Sequence, residues 1–226
     1  MEYLPILWEK IENMIKPYKF ENIYYDGKYL LTKNFGGGSV YDEKIINGYR
    51  RWNPRRSKLC AMLLNKCKTM PIKRNSRVLY PGATSGTTCS YVSDIADKGR
   101  IYCVEFSPRV FRELIFMCEK RKNTVPILAD ANRPEQYRHI VENVDVVYQD
   151  IAQKNQTQIF KKNIEMFLQK NGYGIIMVKA RGIDTAANPK EVYKKVIEDL
   201  KEFEILETVN LTPYEKDHMA VIIKNV

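Results

Sequence analysis

From about residue 78 onward, short apolar runs alternate with longer amphipathic stretches. The runs are VLYPG (78–82), IYCVEF (101–106), VPILAD (125–130), VDVVYQD (144–150) and YGIIMVKA (173–180). Their apolarity is continuous rather than alternating, the pattern of strands covered on both faces, as in a parallel sheet. Between them lie TTCSYVSDIADK (87–98), SPRVFRELIFMCEKRK (107–122), RPEQYRHIVEN (133–143) and NQTQIFKKNIEMFLQKNG (155–172), each long enough for a crossover helix. The last is expected to stop at Asn171-Gly172, since these residues adopt the left-handed conformation that ends helices. Strands and helices in this alternation predict a doubly wound α/β sheet.

The rhythm changes at both ends. NPKEVYKKVIEDLKEF (188–203) is an amphipathic helix entered by Asn188-Pro189, and EILETVNLTP and HMAVIIKNV follow with only a short link, which predicts a terminal antiparallel pair. Upstream, a first helical stretch precedes NIYYDGKYLLTKNFGGGSVYDEKIING (22–48), read as short strands and turns with Gly36-Gly37-Gly38 a mobile hairpin tip. The expected organisation is a small β-rich module over 1–54 and a Rossmann-like domain over 55–226.

Composition narrows the class. At 226 residues, 44% hydrophobic and 28% charged, the chain can bury a sizeable core, and no segment is apolar enough to cross a bilayer. The start carries acidic residues and lacks the basic flank of a secretory signal, so a cytoplasmic location is expected. Five cysteines, an odd number with no C-x-x-C pair, argue against a disulfide framework and against a metal site. Lysine and arginine number 37 against 27 acidic residues, a net +10 that suits a polyanionic partner but equally a lysine-rich solvated surface.

In an open parallel sheet, ligands bind beyond the carboxyl ends of the strands. After the first run comes Gly82-Ala83-Thr84-Ser85-Gly86-Thr87-Thr88, where small residues admit a ligand close to the backbone and free amides open the next helix. It is neither a P-loop, lacking the lysine, nor the G-x-G-x-x-G dinucleotide fingerprint. The second run ends at Glu105, 19 residues past Gly86, where an acidic side chain reaches the two hydroxyls of a ribose. The third ends at Asp130-Ala131, the fourth at Asp150-Ile151-Ala152-Gln153 and the fifth at Lys179. Three carboxylates and a lysine on one edge point to a nucleoside cofactor, although Asp130 and Asp150 each also suit a helix cap. A second cluster, RRWNPRRSK (50–58), sets five basic residues around Trp52, a pattern for a phosphate backbone with an exposed base, or for a solvated linker with a buried tryptophan.

These segments, "YRRWNPRRSKL", "GATSGTT", "VSDIADKG", "VEFSPRVFREL", "PILADANRPEQY", "VDVVYQDIAQ", "NGYGIIMVKAR" and "PYEKDH", occur in order over most of the chain. Together they resemble the fibrillarin family in its archaeal form, the S-adenosylmethionine-dependent RNA 2'-O-methyltransferases of box C/D ribonucleoproteins. The resemblance implies the class I methyltransferase fold, a mostly parallel seven-stranded sheet with a small N-terminal β-rich domain. It implies S-adenosyl-L-methionine as cofactor, and as partners a guide RNA with its substrate RNA, a Nop-type scaffold protein and a kink-turn-binding subunit. Position by position, it places Gly82, Ala83, Thr87 and Thr88 along the cofactor, Glu105 and Phe106 at its ribose and adenine, Asp130 and Ala131 at the adenine, and Asp150, Ile151, Ala152 and Gln153 around the closing wall. The family's presumed catalytic set falls on Lys58, Asp150, Lys179 and His218, with Asp150 orienting Lys179. Arg51, Arg55, Arg56 and Lys58 are the expected RNA contacts, no metal is expected, and His139 has no matching role. Two other functions stay open at this point, a stand-alone methyltransferase and a non-catalytic RNA-binding scaffold.

Overall fold

The computed structural model describes residues 15–226, and the helix expected at the start of the chain lies outside the described residues. Five short strands, β1 (Lys16–Pro17), β2 (Ile23–Tyr25), β3 (Leu30–Lys33), β4 (Ile45–Ile46) and β5 (Tyr49–Trp52), form an antiparallel sheet in the order β1-β2-β3-β5-β4. Helix α1 (Lys58–Leu64) leads into a second sheet made of β6 (Arg77–Pro81), β7 (Arg100–Glu105), β8 (Thr124–Leu128), β9 (Val144–Gln149), β10 (Leu168–Lys179), β11 (Glu204–Asn210) and β12 (His218–Lys224). Its order is β11-β12-β10-β9-β6-β7-β8. Strands β10, β9, β6, β7 and β8 run parallel, whereas β12 is antiparallel to both β10 and β11. This is the class I methyltransferase arrangement.

The chain lays β7 and β8 on one side of β6 and then returns to lay β9 and β10 on the other. Strand order therefore reverses between β6 and β9, and the carboxyl ends separate there to leave a crevice. Helices α2 (Thr87–Ile95) and α3 (Pro108–Glu119) cover one face, and α4 (Gln156–Phe167) and α6 (Pro189–Asp199) the other, with the short α5 (Ala180–Ile183) leaving the end of β10. Alternation along the strands sorts the core: Tyr80, Tyr148, Met177 and Ala220 face α1 and α2, while Leu79, Val147, Ile176 and Val221 face α4 and α6.

Three local expectations are corrected. Residues 133–143 form only a 3-10 turn, Pro134–Tyr137, because Tyr137 and Val141 are buried while Ile140 stands 42% exposed. Two apolar anchors pin one turn and leave no continuous stripe for a helix. Helix α4 stops at Phe167, where Phe167 and Leu168, both buried, carry the chain directly onto the sheet. Leu168 pairs with Val144 and Tyr173 with Val146, so five steps on β10 oppose two on β9, and Asn171 at φ 62° belongs to that bulge rather than to a helix stop. Gly36, placed at a free hairpin tip by its sequence, instead packs on α3's end: a methyl there would stand 2.5 Å from Arg121 Cγ.

The two sheets share buried charge. Arg50 donates to Asp94 (2.8 Å) and to Ser90 (2.9 Å) of α2 and pairs with Glu43 (2.5 Å), and Arg121 donates to Asp94 at 2.6 Å. All four side chains are at most 2% exposed. Trp52 stacks on Tyr91 at 4.7 Å and 12°, and the Tyr91 hydroxyl donates to the Arg51 carbonyl at 2.7 Å.

Candidate active site at the strand ends

Beyond the carboxyl ends of β6, β7, β8 and β9 lies a cleft of about 250 Å³, near the lower end of small-molecule sites. Larger hollows of about 580 and 500 Å³ lie by α4 and at the opposite edge of the sheet, without a convergent set of strand-end groups. Gly82, Glu105, Phe106, Asp130, Ala131, Asp150, Ile151, Ala152 and Gln153 line the cleft, together with Thr84, Val104, Ala129 and Ile159.

The loop after β6 is held by backbone. The amides of Gly82 and Ala83 both donate to the Val104 carbonyl at 3.0 Å, and the Asp150 amide donates to the Pro81 carbonyl at 3.1 Å. Pro81 thus sits at the last position of its strand, where its carbonyl is used. Gly82 has φ 83°, and a methyl on it would overlap the Asp150 carbonyl oxygen and stand 2.9 Å from Ile151 Cγ1, so glycine is required twice over.

The Glu105 carboxylate accepts the Thr84 amide at 3.0 Å on one oxygen and the Ser107 amide at 2.7 Å on the other, which fixes its plane at the cleft wall. Each oxygen keeps a lone pair for a further donor such as a hydroxyl. Asp130 accepts the Asn132 amide at 2.9 Å and so shapes its own turn. Asp150, in contrast, caps nothing: α4 begins after Asn155, and the Asp150 carboxylate instead receives Lys58 Nζ on both oxygens at 2.9 Å.

That ion pair joins the cleft to a second group. Asp150, Lys179 and His218 continue the parity of Tyr148, Met177 and Ala220, so all three emerge on the sheet face that α1 covers, and Lys58 is the first residue of α1. Lys179 and His218 are directly opposite each other in the antiparallel ladder. Among the described residues Lys179 has no carboxylate within 4.0 Å, and the Asp150 carboxylate is engaged by Lys58. His218 Nδ1 lies 2.7 Å from the Lys216 carbonyl, which only accepts, so Nδ1 carries the proton and Nε2 keeps its lone pair. Burial first, then the Lys58 charge, hold His218 below its ordinary range against the Lys216 carbonyl and the charges of Glu215 and Asp150, leaving it neutral at physiological pH.

Other expected contacts fall elsewhere. Ala83 is buried and Thr88 donates to Ser57 Oγ at 3.1 Å, so neither lines the cleft; Thr87 faces a separate hollow bordered by Tyr41 and Arg56. Arg51 points to the opposite face of the small sheet from Trp52 and pairs with Asp26 at 3.1 Å, away from the strand ends. Arg55 and Arg56 are exposed on the loop that leads to Lys58, whereas Trp52 is fully buried and cannot stack on a base. His139 is exposed. Of the lining residues the sequence did not reveal, Val104 and Ala129 directly precede expected ones, Thr84 lies within the glycine turn, and Ile159 has no local signal because only the packing of α4 brings it there.

The profile of the family named Fibrillarin matches residues 15–226. The chain belongs to the fibrillarin family. It is 50% identical over 215 residues to a fibrillarin-like rRNA/tRNA 2'-O-methyltransferase of Methanocaldococcus jannaschii, covering 90% of this chain and 94% of that protein. The solved Methanococcus jannaschii fibrillarin superposes with a TM-score of 0.88 at 49% identity, over 93% of this chain and 96% of that one. Aeropyrum pernix fibrillarin with natively bound S-adenosyl-L-methionine gives 0.84 at 43% identity, over 92% and 97%. A chain of a fibrillarin/Nop5p complex gives 0.89 at 45% identity, over 93% and 100%.

Proposed function

We propose that this fibrillarin-family chain is an S-adenosylmethionine-dependent RNA ribose 2'-O-methyltransferase, the catalytic subunit of a guide-RNA particle acting on rRNA and tRNA. One observation carries the reading: Asp150 belongs at once to the wall of a cleft suited to a nucleoside and to the Lys58, Lys179 and His218 group. The cleft's lining fits the cofactor, with the Glu105 carboxylate to accept from paired hydroxyls and Phe106, Ala129 and Asp130 beside the place of a base. When bound, S-adenosylmethionine supplies a sulfonium-activated methyl group, so the protein has chiefly to align atoms and manage one proton. Gly82, Glu105, Phe106, Asp130, Ala131 and 150–153 would hold it.

Lys58, clamped on Asp150, fixes that carboxylate's orientation and offsets its charge. Lys179 Nζ, without a carboxylate partner among the described residues, would take the proton of the ribose 2'-hydroxyl as a neutral amine or, as an ammonium, support the oxyanion that forms. The free Nε2 of His218 accepts from a ribose hydroxyl beside it. Arg55 and Arg56 contact phosphates without reading bases, so target choice falls to a guide RNA carried with a Nop-type scaffold and a kink-turn-binding subunit. The division at residue 54 and a cytoplasmic location belong to the same reading. Among the described residues no helix is long and apolar enough to cross a membrane.

The test is methyl transfer in the reconstituted particle with labelled cofactor. Lys179→Ala should lower turnover by about 10²- to 10⁴-fold while calorimetric cofactor affinity stays within about twofold. Unchanged turnover overturns the role of Lys179. Site-selective methylation by the chain alone would instead favour a stand-alone enzyme, and failure to bind the cofactor a non-catalytic scaffold.

A further inference from the structure

The ladder between β10 and β12 ends at the pair Lys179 and His218. Past that pair the β10–β12 ladder ends, although on its other side the Leu211 amide still donates to the His218 carbonyl at 3.0 Å. The Ala180 amide donates to the Asp217 carbonyl at 3.1 Å, which carries the pairing one step further. Arg181 Nε then donates to Asp217 Oδ2 at 3.2 Å, while its Nη1 donates to the carbonyls of Thr185 (2.6 Å) and Ala187 (3.4 Å). One guanidinium thus gathers the turn before β12 and the segment before α6.

Asp217 is at φ 57°, a left-handed conformation that aspartate adopts more readily than most residues but that still needs support. With Asp217 turned this way, the preceding Lys216 carbonyl sits 2.7 Å from His218 Nδ1. The turn at residue 217 thus brings this carbonyl, rather than another group, to the Nδ1 edge of the ring. The Arg181–Asp217 pair is itself well exposed, 44% and 24%, and pairs of that kind contribute little to stability. Its two additional contacts, to the Thr185 and Ala187 carbonyls, order a loop rather than a core.

We infer that Arg181 is a positioning residue: through Asp217 it fixes the turn whose Lys216 carbonyl holds His218 Nδ1–H, and so presents the Nε2 lone pair beside Lys179. This rests on the proposed catalytic roles of Lys179 and His218. The charges facing His218 are Lys58 and Asp150 from the neighbouring elements and Glu215 from its own turn, with Lys179 across the ladder; Arg181 reaches it only by way of the backbone.

The chain has two histidines, so side-chain ¹⁵N spectra of the full-length protein resolve His218 once His139→Gln has assigned the other. Wild type should show Nδ1 protonated and Nε2 pyridine-like. In Arg181→Ala the His218 signals should move toward the Nε2–H tautomer that free imidazole side chains prefer, and Arg181→Lys, which keeps one donor for Asp217, should restore most of the wild-type spectrum. Single-turnover methylation in the reconstituted particle should fall about 10- to 100-fold for Arg181→Ala, with cofactor affinity within about twofold. An unchanged tautomer in Arg181→Ala overturns the inference, as does a wild-type rate in Arg181→Ala when His218→Gln is impaired. If His218→Gln is itself fully active, the catalytic reading fails, and the tautomer alone then decides for or against the Arg181 clip.

Discussion

Replacing Gly82 by alanine tests how tightly the cleft is built. The residue has φ 83°, and the added methyl would overlap the Asp150 carbonyl oxygen and lie 2.9 Å from both Asp150 C and Ile151 Cγ1. The left-handed backbone costs a non-glycine residue about 1–2 kcal/mol, and forcing a methyl into packed backbone adds about 1–3 kcal/mol. Gly27→Ala separates the two, since Gly27 has φ 90° with nothing within 4 Å of the added methyl and therefore carries the backbone cost alone. For a chain of this size each kcal/mol lowers Tm by roughly 2–4 °C, which predicts a fall of roughly 4–20 °C for Gly82→Ala and roughly 2–8 °C for Gly27→Ala. Because the obstructed atoms belong to Asp150 and Ile151, which line the cleft, Gly82→Ala should also weaken cofactor binding by about tenfold or more, and Gly27→Ala should not. Thermal scans and calorimetry on both variants check this. A Gly82→Ala shift no larger than that of Gly27→Ala, with cofactor affinity intact, would refute the reasoning.

Asp94→Asn removes a carboxylate that accepts from Arg50, Arg121 and Thr32, and leaves two buried guanidiniums with Glu43; urea unfolding should show a loss of about 3–5 kcal/mol, and a loss under about 1 kcal/mol would contradict the charge network. Burial holds His218 below its ordinary 6.5, so the unfolded chain takes the proton first. Its contribution is complete above 6.5 and is lost as pH falls below that value, so His218→Gln should flatten the rise of urea midpoints as pH climbs toward 6.5 from the acid side. All five cysteines are free and buried, and burial pushes Cys67 up to about 12 and Cys60 and Cys103 well up, so Ellman's reagent near pH 8 should label the chain only after denaturant is added.

Much of this molecule is written in local pattern. The continuous apolar runs marked the five parallel strands because a strand covered on both faces has no room for polar alternation, and their last residues marked the rim because strand ends are where an open sheet leaves a crevice. Glu105, Asp130 and Asp150 were therefore visible as a set, and Asn188-Pro189 correctly opened α6. Local pattern misled where a signal serves two purposes. Asn171-Gly172 supplies a left-handed turn to a strand bulge as readily as to a helix end, and Tyr137 with Val141 has helical spacing without helical burial. Charge was the least readable property: within RRWNPRRSK, Arg50 is a buried structural cation, Arg51 turns away with Asp26, Arg55 and Arg56 stay in solvent, and Lys58 clamps the Asp150 carboxylate at the cleft wall.

Sequence alone thus settled the order of the strands, the sheet class and the edge on which the strand-end carboxylates gather, since these follow from periodicity and chain direction. Only the tertiary structure decided the partners. Asp150 meets Lys58 across 92 residues, His218 meets Lys179 by ladder register, and the His218 tautomer follows from one carbonyl's direction. Pairings of this kind depend on distances between segments remote along the chain, which no local spacing encodes.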